Sequence, residues 1–290
     1  MRIDLHSHSN ASDGTDPPAH VVRRAADARV DVLALTDHDT VSGWAEARRA
    51  LPAGLTLVPG IELSCRHTAV TGQTPHRAAG EGAASVHMLG YLFDPEEPVL
   101  AAERERLRTD RVGRARAMVA RLRELGVEIG WDHVRRIAGG GVVGRPHIAR
   151  AMVEAGAVPT EDAAFTRDWI GSGGRAHVDH YALDPVRAMS LVAAAGGVSV
   201  LAHARARRRG YVVDDGLIEE LAGAGLAGLE VDHPDHDPAD RAHLRDLAGA
   251  LGLIPTGSSD DHGKSTGHRL GCETTAPEAY EALVASARGK

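Results

Sequence analysis

Short apolar runs recur along this chain, and most are followed by a segment with helical spacing. "RIDLHSH" leads into "PPAHVVRRAADA", and "VDVLALTDHD" into "SGWAEARRAL". "LTLVPGIELS" and "SVHMLGYLF" follow. Near the C-terminus, "GGVSVLAHA", "LAGLEVDH" and "GLIPTGSSDDH" are separated by the helical stretches "DDGLIEELAGAG" and "DPADRAHLRDLAGALG". Alternating strands and helices predict βα units and a parallel sheet of the α/β class. Residues 96 to 178 break this rhythm. "EEPVLAAERERLRTDRVGRARAMVARLRELG" predicts one long helix whose apolar stripe is Val112, Ala115, Met118, Val119, Leu122 and Leu125. "WDHVRRIAGG" and "RPHIARAMVEAG" predict two more. The pattern therefore divides the chain into a barrel-forming part, residues 1–95 and 179–290, and a small helical insertion, residues 96–178.

The polar residues follow a rule of their own. In "IDLHSH", Ile3 and Leu5 alternate with Asp4 and His6, so His6 and His8 share one face of a strand. His6 and His8, Asp37 and His38, Glu62, His203, His233, and Asp260 with His262 all fall at the C-terminal ends of predicted strands. His87 lies within or just before one. In a β/α barrel that rim is where active sites are built. Imidazoles and carboxylates converging there form a donor set for divalent metals.

Composition narrows the options. The chain has 290 residues, 43% hydrophobic and 25% charged, which is ordinary for a globular protein. The net charge of -7 argues against nucleic-acid binding through bulk charge. The 17 histidines are many for this length. The two cysteines, Cys65 and Cys272, exclude a disulfide framework and a cysteine-based zinc site. The chain enters a strand at once with no signal-like region, and no apolar run approaches membrane-spanning length. The expectation is a cytoplasmic protein with no membrane contact and no obligatory protein partner. "GGGVVG", residues 139–144, matches a dinucleotide-binding spacing but follows a helix rather than a strand, which excludes that reading. The arginines from Arg104 to Arg123 are expected on a solvated helix face. Residues 71–85 read as a loop insertion, with His67 and His76 at the surface.

Taken together, "DLHSHSNASDG", "ALTDHD", "PGIELS", "HMLGY", "VLAHA", "GLEVDHPDH" and "TGSSDDHG" resemble, in order, the motifs of the PHP (polymerase and histidinol phosphatase) superfamily. The resemblance is to its stand-alone branch acting on 3′,5′-bisphosphonucleotides and on 5′ ends of short RNA, and it extends to "GRPHIARAM" in the insert. It implies a distorted (β/α)7 barrel carrying three divalent ions. One ion would take His6, His8, Glu62 and Asp260. A second would share Glu62 and add His87 and His203. A third would take Asp13, His38 and His262. Asp37 and Asp39 would orient ligands or water. Two departures occur. Ala204 stands where the family usually has proline, and Asp261 where it usually has an aromatic residue.

Six histidines and three carboxylates suit Mn²⁺, Fe²⁺ or Zn²⁺. With three such ions the site stays positive and favours an anionic substrate. The expected reaction is phosphate-ester hydrolysis by attack of a metal-bridging hydroxide on phosphorus. His233 is the candidate proton donor and substrate contact. Arg145, at the entrance of a helix begun by Pro146, is the candidate anchor for a second phosphate. Two alternatives stand beside this reading. One is a histidinol-phosphate phosphatase, although that branch generally has histidine at Asp13 and lacks "GRPH". The other is a metal-binding module without catalysis.

Overall fold

The computed structural model describes residues 1–68, 83–207 and 212–288. Seven strands form one sheet in sequence order: β1 (Ile3–Asp4), β2 (Val32–Leu35), β3 (Thr56–Thr68), β4 (Ala83–Tyr91), β5 (Val198–Leu201), β6 (Gly228–Asp232) and β7 (Ile254–Gly257). β1–β2–β3 and β5–β6–β7 are parallel, as the alternating pattern predicts. β4 is antiparallel to both its neighbours. The reason is the connection. β3 and β4 are consecutive in sequence with 14 residues between them, and an antiparallel pair needs no crossover helix. Of the expected loop at residues 71–85, the last three residues begin β4. Residues 71–82, with His76, lie outside the described residues, while His67 is half-buried on β3.

The barrel is closed between β7 and β1 by side chains and single backbone bonds rather than by a ladder. The buried Asp4 carboxylate accepts from Ser259 N at 2.9 Å and from Gly271 N at 2.8 Å. Thr275 N donates to Ile3 O, and His8 N to Asp261 O. Burial pushes the Asp4 carboxyl above its ordinary range, against the backbone donors that favour its charge.

Five helices flank β1–β2 and β5–β7: α1 (Pro18–Asp27), α2 (Trp44–Arg49), and, further along, α7 (Pro185–Ala194), α8 (Asp215–Gly223) and α9 (Pro238–Leu251). The chain ends in α10 (Pro277–Arg288). Local sequence marks the starts of α7, α8 and α9. Asp184 and Asp237 cap α7 and α9 by accepting backbone N–H bonds, each with proline in the first turn, and Asp214 caps α8.

The insert contains α3 (Pro98–Glu124), α4 (Trp131–Ile137), α5 (Arg145–Glu154) and the one-turn α6 (Glu161–Ala164). Its expected apolar stripe is buried at Ala115, Met118, Val119 and Leu122, around which residues up to Ala176 form a separate apolar cluster. Leu100 and Leu107, on the same helix, belong instead to the barrel core. α3 thus spans both bodies. Among the described residues no helix is long and apolar enough to cross a membrane.

Candidate metal centre

All nine expected ligands meet at one end of the barrel. The reversed direction of β4 explains His87: it is the central residue of the strand and pairs with Ser64 on β3, which brings its ring beside Glu62. Glu62 is the hub. Its Oε1 lies 2.6 Å from His87 Nδ1 and 2.9 Å from His203 Nε2. Its Oε2 lies 3.1 Å from Nε2 of both His6 and His8 and from His38 Nδ1. Asp260 Oδ1 is 3.4 Å from His6 and 3.2 Å from His8. Asp13 lies 3.6 Å from His38 and 3.4 Å from His262.

Donor atoms within 4.8 Å of one another fall into four overlapping groups: His8, Asp13, His38 and His262; His6, His203 and Asp260; His6, His8 and Glu62; and His38, Glu62 and His87. These residues are those expected, but their sharing is not. His8 also faces Asp13, His38 also faces His87, and His203 sits with His6 and Asp260.

The local chain explains how Asp13 turns back. Ser9, Ser12 and Gly14 form a tight turn in which Gly14 N donates to Ser9 O at 3.0 Å. A Cβ on Gly14 would lie 2.6 Å from His8 O, so only glycine allows the approach. Asp37 holds this turn. It accepts from Ser9 N at 2.8 Å, and from Ser9 Oγ and Ser12 Oγ at 2.7 Å each. Burial raises its carboxyl against these bonds. Its oxygens are spent on the turn, so its geometry supports positioning rather than contact with a reacting group.

His233 differs from the expectation in a similar way. It is fully buried, with Nε2 3.2 Å from Asp260 Oδ2, while Nδ1 accepts from Asp235 N at 3.0 Å. Both nitrogens are engaged inside the protein. That geometry fits a residue that orients Asp260 and caps the following turn, not a proton donor open to substrate.

The electrostatics favour cations. Burial alone would raise the Glu62 and Asp13 carboxyls, yet the surrounding imidazoles hold both well below the usual range. Burial works against a charge on His8, but Asp260 and Glu62 hold it up to about 10. His38, buried and next to His8 and Arg111, is pushed well down despite Glu62 and Asp13. His8 Nδ1 and His38 Nδ1 are buried without a hydrogen bond. Imidazole nitrogens 3.0 Å apart, as in His6 and His8, cannot satisfy each other as two donors or two acceptors. A buried set of this kind fits divalent cations.

Sequence reasoning missed two charged residues beside the cluster. Glu230, on β6, is fully buried against His6. Its signal was a lone carboxylate inside the apolar run "LAGLEV". Arg111, on α3, reaches out of the insert to donate to Asp39 and to Ser64 Oγ. The expected solvated arginine face holds at Arg108, Arg116 and Arg123, which are exposed, and needs correcting at Arg111 and Arg114. Arg114 donates to Val178 O at 2.8 Å, and Arg106 stacks 3.7 Å over Tyr181. These arginines line the junction between insert and barrel because α3 crosses it. The "GGGVVG" loop lies there too. Val142 N donates to Ala11 O at 3.0 Å, and a Cβ on Gly141 would overlap Asn10 O at 2.0 Å. Its glycines let the insert close onto the turn that carries Asp13.

Arg145 is the first residue of α5, with Pro146 second, one position later than expected. Its guanidinium lies 5.6 Å from the Phe165 ring. Glu154, at the other end of the same helix, meets His133 at 2.7 Å. Of the two departures, Asp261 staples the last loop, accepting from Gly263 N, Thr266 Oγ1 and Arg269 N. Ala204 is buried, and its carbonyl accepts from Val213 N.

Comparison with known proteins agrees with this geometry. The family model described as PHP domain matches residues 4–128. The chain is 34% identical over 269 residues, 92% of its length and 89% of the relative's, to a 3′,5′-nucleoside bisphosphate phosphatase from Chromobacterium violaceum. It is 32% identical to a phosphoribosyl 1,2-cyclic phosphate 1,2-diphosphodiesterase from Eggerthella lenta, covering 91% and 95% of the two chains. It is 30% identical to a 5′-3′ exoribonuclease from Salmonella typhimurium, covering 97% and 92%. A crystal structure of a protein from Bifidobacterium adolescentis, described as a putative metal-dependent phosphoesterase, superimposes with a TM-score of 0.86 at 31% identity over 98% of this chain and 96% of that one. With its ligand-bearing rim, its reversed fourth strand and these likenesses over nearly its full length, the chain belongs to the PHP domain family.

Proposed function

We propose that the chain removes phosphate from 3′,5′-bisphosphonucleotides, or cleaves nucleotides from 5′ ends of short RNA, with divalent ions held by the rim cluster. It is a metal-dependent phosphoesterase of the PHP family. The observation that carries the substrate class is the charge at the insert–barrel junction. The Arg114 guanidinium is pushed down to about 9, first by burial and then by Arg145, Arg111 and Arg66. His180 is lowered by burial and by the same four arginines. Arg111 and Arg66 already face Asp39 and Asp179, and a gathering of guanidiniums beside a cation site still favours a ligand with a second anionic group. The bisphosphate and exoribonuclease names of two relatives support the same class.

In this reading His6, His8, Glu62 and Asp260 hold one ion, Glu62, His87 and His203 a second, and Asp13, His38 and His262 a third. The donors suit Mn²⁺, Fe²⁺ or Zn²⁺. Bound divalent ions supply Lewis acidity to a phosphoryl oxygen and lower the pKa of an attacking water. The protein's part is geometric: Asp37 fixes the Asp13 turn, His233 fixes Asp260, and Arg145 holds the phosphate that is not cleaved.

Turnover of adenosine 3′,5′-bisphosphate, a 5′-phosphorylated short RNA, a ribose 1,2-cyclic phosphate and histidinol phosphate by the Mn²⁺-loaded protein tests the reading. The first two are expected to be preferred, and a preference for either of the others refutes it. Arg145→Ala should raise KM for the bisphosphate roughly 30-fold, about 2 kcal/mol for a charge-assisted contact, and leave p-nitrophenyl phosphate hydrolysis within about twofold. Equal losses on both substrates remove Arg145 as the anchor.

A further inference from the structure

Glu230 has a place that the metal reading leaves unexplained. It projects from β6 and is fully buried, yet it stands outside the four donor groups. Both its oxygens are used. Oε1 lies 3.1 Å from His6 Nδ1 and accepts from Ser258 Oγ. Oε2 accepts from the His203 backbone N–H at 2.7 Å. One carboxylate thus ties together the ends of β1, β5, β6 and β7. Burial would raise its carboxyl, but His6, His233 and His203 hold it well below the ordinary value.

Two consequences follow from this geometry. With Nδ1–H donating to Glu230, His6 presents Nε2 to Glu62 and Asp260, as a metal ligand must. The backbone at His203 has φ 26°, in the left-handed region that non-glycine residues rarely adopt. Its N–H bond to Glu230 helps hold that conformation, which directs His203 Nε2 at Glu62.

We propose that Glu230 is a positioning residue. It fixes the His6 tautomer and the His203 turn, so that two metal ligands on different strands are set before an ion arrives. This rests on the rim cluster being a metal site. It does not depend on which phosphate ester is cleaved.

The test uses the metal-free full chain, with Glu230→Gln and Ser258→Ala. Nitrogen-15 NMR of the imidazoles in the parent should show His6 protonated at Nδ1. Glu230→Gln should weaken Mn²⁺ binding in calorimetry about 10- to 100-fold, the range seen when the partner of a ligating histidine is lost. Ser258→Ala, which keeps the carboxylate and loses one donor to it, should weaken binding by less than about tenfold. Circular dichroism checks that both variants fold. Should Glu230→Gln fail to fold, the His6 tautomer and the Ser258→Ala affinity decide. A folded Glu230→Gln variant that binds Mn²⁺ within twofold of the parent overturns the proposal, and so does a parent His6 protonated at Nε2 alone. If the parent itself binds no Mn²⁺, the metal reading fails instead. If it binds Mn²⁺ but hydrolyses no ester, only the substrate reading fails.

Discussion

Barrel and insert place their charges in opposite ways. In the barrel, apolar strands end in histidines and carboxylates that are buried, facing inward and crowded against one another. In the insert, the apolar residues form a continuous interior and the arginines stand around it, with Arg111 and Arg106 turned toward barrel residues. Burying like groups together is costly unless a partner of opposite charge is supplied. The rim's partner is a cation. In the proposed reading the partner of the arginines at the junction, beyond the Asp39 carboxylate that Arg111 already meets, is an anion. On that reading the two regions would set a metal-binding floor beneath a basic wall, with a place on each for a substrate that carries two phosphates.

The sharpest way to break the comparison is at the rim. His8 lies in two of the donor groups and is fully buried. His8→Ala is expected to reduce kcat/KM at least 10³-fold on every substrate, about 4 kcal/mol of transition-state stabilisation, with a matching loss of bound metal. Arg145→Ala, on the wall, should discriminate between substrates and leave metal content unchanged. A His8 variant with full metal content and turnover would dissolve the distinction.

Next in size is a cavity in the insert. Met118 is fully buried in the insert cluster. Met118→Ala should cost about 2–5 kcal/mol of insert stability. We expect hydrogen exchange to rise over residues 115–176, while the metal-free barrel strands keep their protection and Mn²⁺ still binds. Uniform loosening of barrel and insert would show that α3, with Leu100 and Leu107 in the barrel core, couples them into one unit.

The two regions also differed in how far the sequence exposed them. Barrel elements and rim residues were legible because a strand end is a local signal: His6 with His8, or Asp260 with His262, needs only its own neighbours to be noticed. The same logic missed what depends on three-dimensional approach. β4's reversal was hidden because direction is set by its connections. Arg111 read as one more solvated arginine because nothing near it in sequence says that Asp39 lies opposite. Asp37 and His233 were placed at the rim correctly, but their roles depend on where their oxygens and nitrogens point. Pattern alone does not contain that.

The smallest effect expected separates the regions by pH. His147, in the first turn of α5, is almost fully buried, and its Nδ1 accepts from Gly144 N at 3.0 Å. That bond requires the neutral ring. Burial, reinforced by Arg150 and Arg111, lowers its pKa from 6.5 to about 4. The unfolded chain takes up a proton as the pH drops below 6.5, whereas the folded insert resists until about 4. Stability from this group is therefore complete above pH 6.5 and is lost as the pH falls from there toward 4, at most about 3 kcal/mol for a shift of this size. Trp131 and Trp169 pack against the insert core and report on it by fluorescence, and Trp44→Phe removes the barrel's own reporter. In that background, urea midpoints of the metal-free protein should fall between pH 7 and pH 5, and His147→Gln should flatten the fall. An equally steep fall in both proteins would place the acid sensitivity in the barrel's histidines and leave the insert without a pH response of its own.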